Sequence, residues 1–217
     1  MQPIVKTFTG ATPEVADSVA TVQSLPGSGN ITIDGSLAVD GVAYISPAQK
    51  VSCTSAFDDS ALLITITGKN QYGDYQQEVI TGPSIETVYS TSYFSEVSEI
   101  QLDGATDGIS FGNSGETVSQ IISLENYARA QTCYQVSLDE GSNMTWSLFG
   151  TLDNPNDPVH PCPVSEMQFL ASSEGGLVGQ SSTQWSQCSW TPLYVRLGIL
   201  GTGSGRITIV QFGSVPQ

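Results

Sequence analysis

Charge is scarce in this chain of 217 residues. Only 12% of its residues are Asp, Glu, Lys or Arg, about half the share a soluble domain usually carries. Bases are the rarest, six against 21 acids, for a formal net charge of −15. They stand singly, at Lys6, Lys50, Lys69, Arg129, Arg196 and Arg206. No basic cluster is present to neutralise phosphates, which argues against a nucleic-acid-binding face. The acidity accounts for solubility. There is one histidine, His160, in the proline-stiffened run DPVHPCP. Ser-His-Asp or Cys-His catalysis would have to use it, and no nucleophile or orienting acid stands in a recognisable pattern beside it. The four cysteines, Cys53, Cys133, Cys162 and Cys188, are far apart and form no CxxC, so zinc-site spacing is absent. His160 and Cys162 would need two more ligands from afar, with Cys188 the one attractive candidate, and no metal is expected. A P-loop and a dinucleotide fingerprint are also missing, so no cofactor is expected.

Long apolar runs are missing too. Nothing approaches the ~18 residues of a membrane span, and the first 22 residues hold no apolar core of signal-peptide length. The chain is therefore read as made and used without secretion, with no membrane partner. Its cysteines are then thiols, most of them packed as small apolar groups. The sequons at Asn30 and Asn143 carry no weight without a secretory route.

The acids do not assemble into visible chemistry. Asp58-Asp59-Ser60 and Asp139-Glu140-Gly141 have the composition of turns, where Asp and Gly serve local hydrogen bonding and positive φ. A glycosidase pair of carboxylates would also need aromatic platforms and polar supports, which do not cluster with them. The run LDNPNDP (152–158) offers oxygens at Asp153, Asn154, Asn156 and Asp157, as a calcium loop does. A succession of Asx-Pro turns explains the same residues without an ion. No catalytic residue is expected, and the chain is read as not an enzyme.

What the chain has instead is Gly, Ser, Thr and short alternating runs, a composition that favours sheets over surface helices. Residues 1–28 are punctuated by Pro3, Pro13 and Pro26 and read as an extended N-terminal arm, ordered against a partner. From Asn30 the alternation begins. Asp34-Gly35 and Asp40-Gly41 between alternating runs signal hairpins. In the run 61–68, Leu62, Ile64 and Ile66 share one face. Residues 69–74 read as a turn and 75–80 as the returning strand. Thr87–Phe94, Glu99–Leu102 and Ile109–Phe111 follow as short strands, with a boundary at 113–115. The pattern then restarts. Residues 131–138 and 144–149 alternate about 139–142 as a hairpin, with Tyr134, Val136, Leu138, Met144, Trp146 and Leu148 facing one core. After a long irregular stretch, YVRLGILGTGSGRITIVQFG (194–213) reads as a closing hairpin, Val195, Leu197 and Ile199 against Ile207 and Ile209. No helix of more than two turns is expected. The fold class is all-β: two β-sandwich or jelly-roll-like domains, residues 29–114 and 115–217, behind the 1–28 arm.

Trp146 is most simply core. Trp185 and Trp190 flank Cys188 and, with Tyr194, are candidates for an interface, because aromatic residues anchor such surfaces. Core packing accounts for the two tryptophans more simply still.

Two longer patterns are similar to modules of a known family. The first runs from Asp58-Asp59-Ser60 through an alternating strand ending Thr67-Gly68 and a polar turn at Gly73. It continues into EVITGP (78–83) and TVYSTSYFSEVSEI (87–100). The second pairs YQVSL (134–138), MTWSLFGTLDNPNDP (144–158) and the terminal strands of 194–213. Together they resemble recurring modules in virion structural proteins of short-tailed bacteriophages, over most of residues 45–213. The chain departs from that pattern in the arm and in lacking a Trp in its Asp-Pro-rich loop. The resemblance implies a head-associated virion protein, assembled in the host cytoplasm. Its role would be a capsid decoration or cement protein binding the outer surface of the head. The major capsid protein would be its partner, and it would form a homo-oligomer, a dimer or trimer. A tail, head–tail junction or head-fibre component is the alternative place in the particle. A carbohydrate-binding module, with Trp185, Trp190 and Tyr194 as its stacking platform, is the alternative outside it.

Overall fold

In a computed structural model the protein is described over residues 3–124, 131–172, 177–188 and 192–212. Regular structure there is almost entirely strand, so the all-β expectation holds. The first strands are β1 (Ile4–Thr9), β2 (Val15–Leu25), β3 (Gly29–Asn30), β4 (Ala38–Val39) and β5 (Val42–Ser55). There follow β6 (Leu63–Lys69), β7 (Tyr75–Thr81), β8 (Thr87–Tyr89), β9 (Phe94–Leu102) and β10 (Thr106–Val118). The rest are β11 (Ile122–Ser123), β12 (Gln131–Leu138), β13 (Asn143–Thr151), β14 (Leu170–Ala171), β15 (Gln184–Cys188), β16 (Tyr194–Thr202) and β17 (Ser204–Phe212). Helical structure among the described residues is confined to short 3-10 pieces such as Val164–Glu166. The chain forms two compact units, Ala11–Thr117 and Met1–Gly10 together with Val118–Gln217.

In the Ala11–Thr117 unit the antiparallel order is β2-β10-β5-β9-β6-β7. The long β5 changes partners along its length. Ala43, Tyr44 and Gln49 pair with β9, Gln49 and Val51–Ser55 pair with β10, and Ser52–Thr54 also pair with β8. The alternating side chains read from sequence line the core: Ile64, Ile66, Ile100, Leu102, Ile109 and Phe111 are all fully buried. Each such aliphatic side chain contributes about 1.5–3 kcal/mol by leaving water.

Two expectations for the first half of the chain fail. Asp40-Gly41 does close a hairpin: both residues have positive φ, 52° and 79°, and Val39 pairs with Val42. Asp34-Gly35 does not. Gly35 donates its N–H to Val19 O, and a Cβ on it would collide with the Ser18 backbone. The Asp34 carboxylate accepts from Thr21 N and Oγ1 at 2.8–2.9 Å. This Asp-Gly pair docks onto β2, a use that local composition does not distinguish from a hairpin.

The N-terminal arm is the second correction. Most of the described part of the expected arm is strand within the chain itself: β1 pairs with β17 from Ile4↔Ile209 to Thr9↔Ser204, and β2 pairs with β10. The prolines bound these strands and do not break them. Side chains then fix the segment between. Buried Gln49 donates to Thr12 Oγ1 (2.7 Å). Asn113 donates to Pro13 O (2.7 Å) and accepts from Ser18 Oγ (2.7 Å). Three register shifts along β2 blur its alternation, which is why the sequence gives it no strong strand signal. The same contacts place 113–115 inside β10, two residues before the Thr117/Val118 division between the units.

In the other unit the sheet order β1-β17-β12-β15 stands beside the pairs β14-β13-β16 and β16-β11. One core joins them, with Phe8, Tyr134, Val136, Ile207 and Ile209 from the first set and Met144, Trp146, Leu148, Leu197 and Ile199 from the second. Trp146 is 1% exposed and its Nε1–H donates to Ser182 O. The shared core was expected; the pairing was not. Residues 139–142 and 201–204 do not close hairpins. β12 pairs with β17 and β15, while β13 pairs with β16 and β14, so both turns carry the chain from one sheet to the other. Inward alternation is the same whether successive strands are hydrogen-bonded neighbours or face each other across a core.

The two turns hold each other. Asp139 N–H and Ser142 Oγ–H both donate to Ser204 O, and Ser204 Oγ–H donates to Asp139 Oδ2. Gly10 N–H donates to Gly203 O (2.8 Å). Gly203 has φ +132°, and a Cβ there would stand 2.6 Å from Ser142 Cβ. Gly179, at φ +65°, has open space around the same position. Gly203→Ala is therefore expected to cost about 2–3 kcal/mol and Gly179→Ala about 1 kcal/mol, read as the shift in urea midpoint on a common slope.

Candidate functional site

The first sheet of the Val118–Gln217 unit presents one face to the core and one outward. Register places Val5, Thr208, Gln135 and Trp185 in a single row across β1, β17, β12 and β15. A neighbouring row holds Val210, Cys133 and Gln187. Alternation with buried Tyr134, Val136, Ile207 and Ile209 turns both rows outward. Trp185 is 76% exposed and Val5 50%. A shallow groove of about 280 Å³ runs along Trp185, Gln135, Cys133, Thr208 and Val210. The four strands of this sheet contain Lys6 and Arg206 and not one Asp or Glu. The contrast with the rest of the chain is large. The Ala11–Thr117 unit has fourteen acids and two bases, net −12; the remainder has seven acids and four bases, net −3.

Comparison with protein-family models, curated proteins and solved structures finds no match.

The three aromatic residues expected at an interface part company. Trp185 stands on the outward face. Trp190 lies outside the described residues. Tyr194 belongs to the other set of strands: it pairs with Thr151 on β13 and is half-buried. Its Oη donates to Asn154 Oδ1 (3.3 Å) and accepts from Asn156 Nδ2 (3.4 Å), so it holds the 152–158 loop. Trp185 and Tyr194 are not one stacking platform. Sequence reading missed Val5, Gln135 and Thr208 as companions of Trp185. Their outward parity was available from alternation, but β1 was read as arm and β15 as irregular, so no register linked them.

Elsewhere the titratable groups support the fold. Asp58 accepts from Ser60 Oγ (2.6 Å) and Ser60 N, which hold its carboxyl below the usual range. Asp59 is buried and accepts from Thr106 Oγ1 (2.9 Å). Asp157 accepts the N–H groups of His160 and Val159, both at 2.8 Å, which lower its carboxyl. Asp153 accepts from Gln168 N and Thr151 Oγ1, and Asn154 from Asn156 N. The 152–158 oxygens thus serve local turns, and no group of three or more His, Cys, Asp or Glu among the described residues has the geometry to hold a metal ion. Cys53, Cys133 and Cys162 are free thiols; burial, then the Asp59 charge, pushes the Cys53 thiol far up and leaves it unreactive. Among the described residues no helix is long and apolar enough to cross a membrane.

Glu78 shows how such a carboxylate works. Burial alone would push it up, but donors from Thr91 N, Thr91 Oγ1 and Ser92 N at 2.7–2.9 Å outweigh that and hold it below its ordinary value. A depressed folded pKa gives stability that is full above the unfolded value and is lost as pH falls through the folded one. Glu78→Gln should therefore flatten the acid limb of the stability–pH curve below about pH 5, measured by urea unfolding at stepped pH. Trp185 buries little within its own chain. Trp185→Ala should shift stability by no more than about 0.5 kcal/mol, whereas Trp146→Ala should cost roughly 3–5 kcal/mol, both read from thermal or urea unfolding.

Proposed function

We propose that this chain is a virion structural protein, a decoration or cement protein that binds and stabilises the outer surface of a phage head. The observation that carries the reading is the acid-free outward sheet face with exposed Trp185, set in a chain of net charge −15. An adhesive face needs desolvatable area and freedom from like-charge repulsion, and an aromatic anchor is where binding energy concentrates. The acidity favours the outside of the shell, since packaged DNA repels a polyanion. Two sandwich-like units suit the task, because loops and edges can vary over cores that do not. The major capsid protein is the partner, the protein assembles with the particle in the host cytoplasm, and neither nucleic acid nor membrane is engaged. A lattice of identical subunits favours a dimeric or trimeric clamp. Nothing in the reading requires catalysis or a cofactor.

One observation favours a second reading. Trp185 beside a groove that also carries the Gln135 amide is an arrangement that stacks on a sugar ring and hydrogen-bonds its hydroxyls. On that reading the chain is a carbohydrate-binding module, and binding on a glycan array, lost in Trp185→Ala, would favour it.

The deciding measurement is copy number in purified virions, by quantitative mass spectrometry against the major coat protein. A simple ratio to the coat protein is expected for a lattice-wide decoration protein. A ratio lower by well over tenfold would move the chain to a tail, head–tail junction or head-fibre position, and absence from virions would discard the reading.

A further inference from the structure

Every strand edge offers unpaired N–H and C=O groups to another chain, and proteins guard such edges with charge, proline, bulges or brevity. Most free edges here are guarded. β1 carries Lys6 and is preceded by Pro3. β7 contains Glu78 and lies between Asp74 and Pro83. β2 contains Asp17, lies between Pro13 and Pro26, and has broken register. β14 is two residues long and β8 three. β15 is different. Gln184–Cys188 ends the order β1-β17-β12-β15, pairs on one side with β12, and has no charge, proline or register shift among its five residues.

Charge singles out the same place. Two copies of a chain at −15 repel each other over most of their surface. They can meet closely only where no carboxylate opposes another. After Glu174 the sequence contains no acid at all, and the sheet that β15 borders has none in its strands.

From these two observations, and resting on the reading of the chain as a multicopy shell protein, we infer that β15 is where two copies join. Gln184–Cys188 of one copy pairs antiparallel with Gln184–Cys188 of a second about a twofold axis through Ser186. The two four-stranded sheets become one of eight. Gln184 then faces Cys188, and Trp185 faces Gln187 of the second copy, so no charge opposes a charge. A twofold perpendicular to the sheet keeps both outward faces on one side. The two Trp185 side chains become diagonal neighbours about 7–8 Å apart, within reach of aromatic rings. The contact is isologous and closes at two copies.

The test uses the purified full chain. Sedimentation equilibrium up to millimolar concentration should give a monomer–dimer equilibrium. Hydrogen exchange at low and high concentration should show protection rising in the amides of 184–188. Trp185→Glu places a carboxylate on each side of the axis, and Gln187→Glu does the same from the other outward position of the strand. Each should raise the dimer dissociation constant by roughly tenfold or more, with the far-UV circular dichroism of the monomer unchanged. A chain that stays monomeric throughout overturns the inference. So does a dimer whose 184–188 amides gain no protection, or one that survives both substitutions. The result separates from the shell reading: a monomer found in virions at a simple ratio to coat protein removes the β15 contact alone, whereas a β15 dimer absent from virions removes the shell alone.

Discussion

The mutual hold of two turns decides the architecture of the Val118–Gln217 unit. Residues 139–142 and 201–204 each carry the chain from one sheet to the other, and Ser204 is bonded from both Asp139 and Ser142. Gly203 lies so close to Ser142 that a side chain has no room. These few bonds are weak in sum, about 0.5–1.5 kcal/mol each net of water. The core under them, with residues such as Trp146, Leu197 and Ile209 fully buried, outweighs them many times over. Yet that core would form as well if the same strands were hairpins. The burial term does not discriminate between the two topologies, so the small directional terms do.

Everything proposed for the surface follows from that choice. Because β12 is released from β13, it is flanked by β17 and β15. Because β17 is released from β16, its other edge is open to β1, whose end is fastened through Gly10 to Gly203. The resulting sheet gathers Val5, Thr208, Gln135 and Trp185 into one outward row from four distant parts of the chain. It also gathers four strands without a carboxylate, in a protein where acids outnumber bases 21 to six. The acid-free face is thus a product of topology acting on an uneven charge distribution.

The Ala11–Thr117 unit solves a different problem, that of holding an irregular N-terminal strand. β2 has little alternation to bury, and its register against β10 is interrupted. Polar side chains supply what packing does not: the buried side chains of Gln49, Asn113 and Ser18 form a set of hydrogen bonds that reaches out to Thr12 and Pro13. In a low-dielectric interior such a set is stable only when its members are satisfied, which makes it selective for one position of the strand. The Glu78 carboxylate does the same for the loop at Thr91 and Ser92.

The sequence by itself determined the all-β class, the inward faces of the strong strands, the Asp40-Gly41 hairpin, the 69–74 turn and the burial of Trp146. Each of these rests on local physics: a period of two, positive φ at Gly and Asp, and the transfer of large apolar groups from water. Tertiary structure alone decided the rest. It made strands of residues 4–9 and 15–25, whose signals are weak without partners, and it turned Asp34-Gly35 into a docking point on β2. It separated Tyr194, which secures the 152–158 loop, from Trp185, which stands in solvent. Those outcomes depend on which strands are neighbours. Alternation states only which way a side chain points and leaves open what lies beside it.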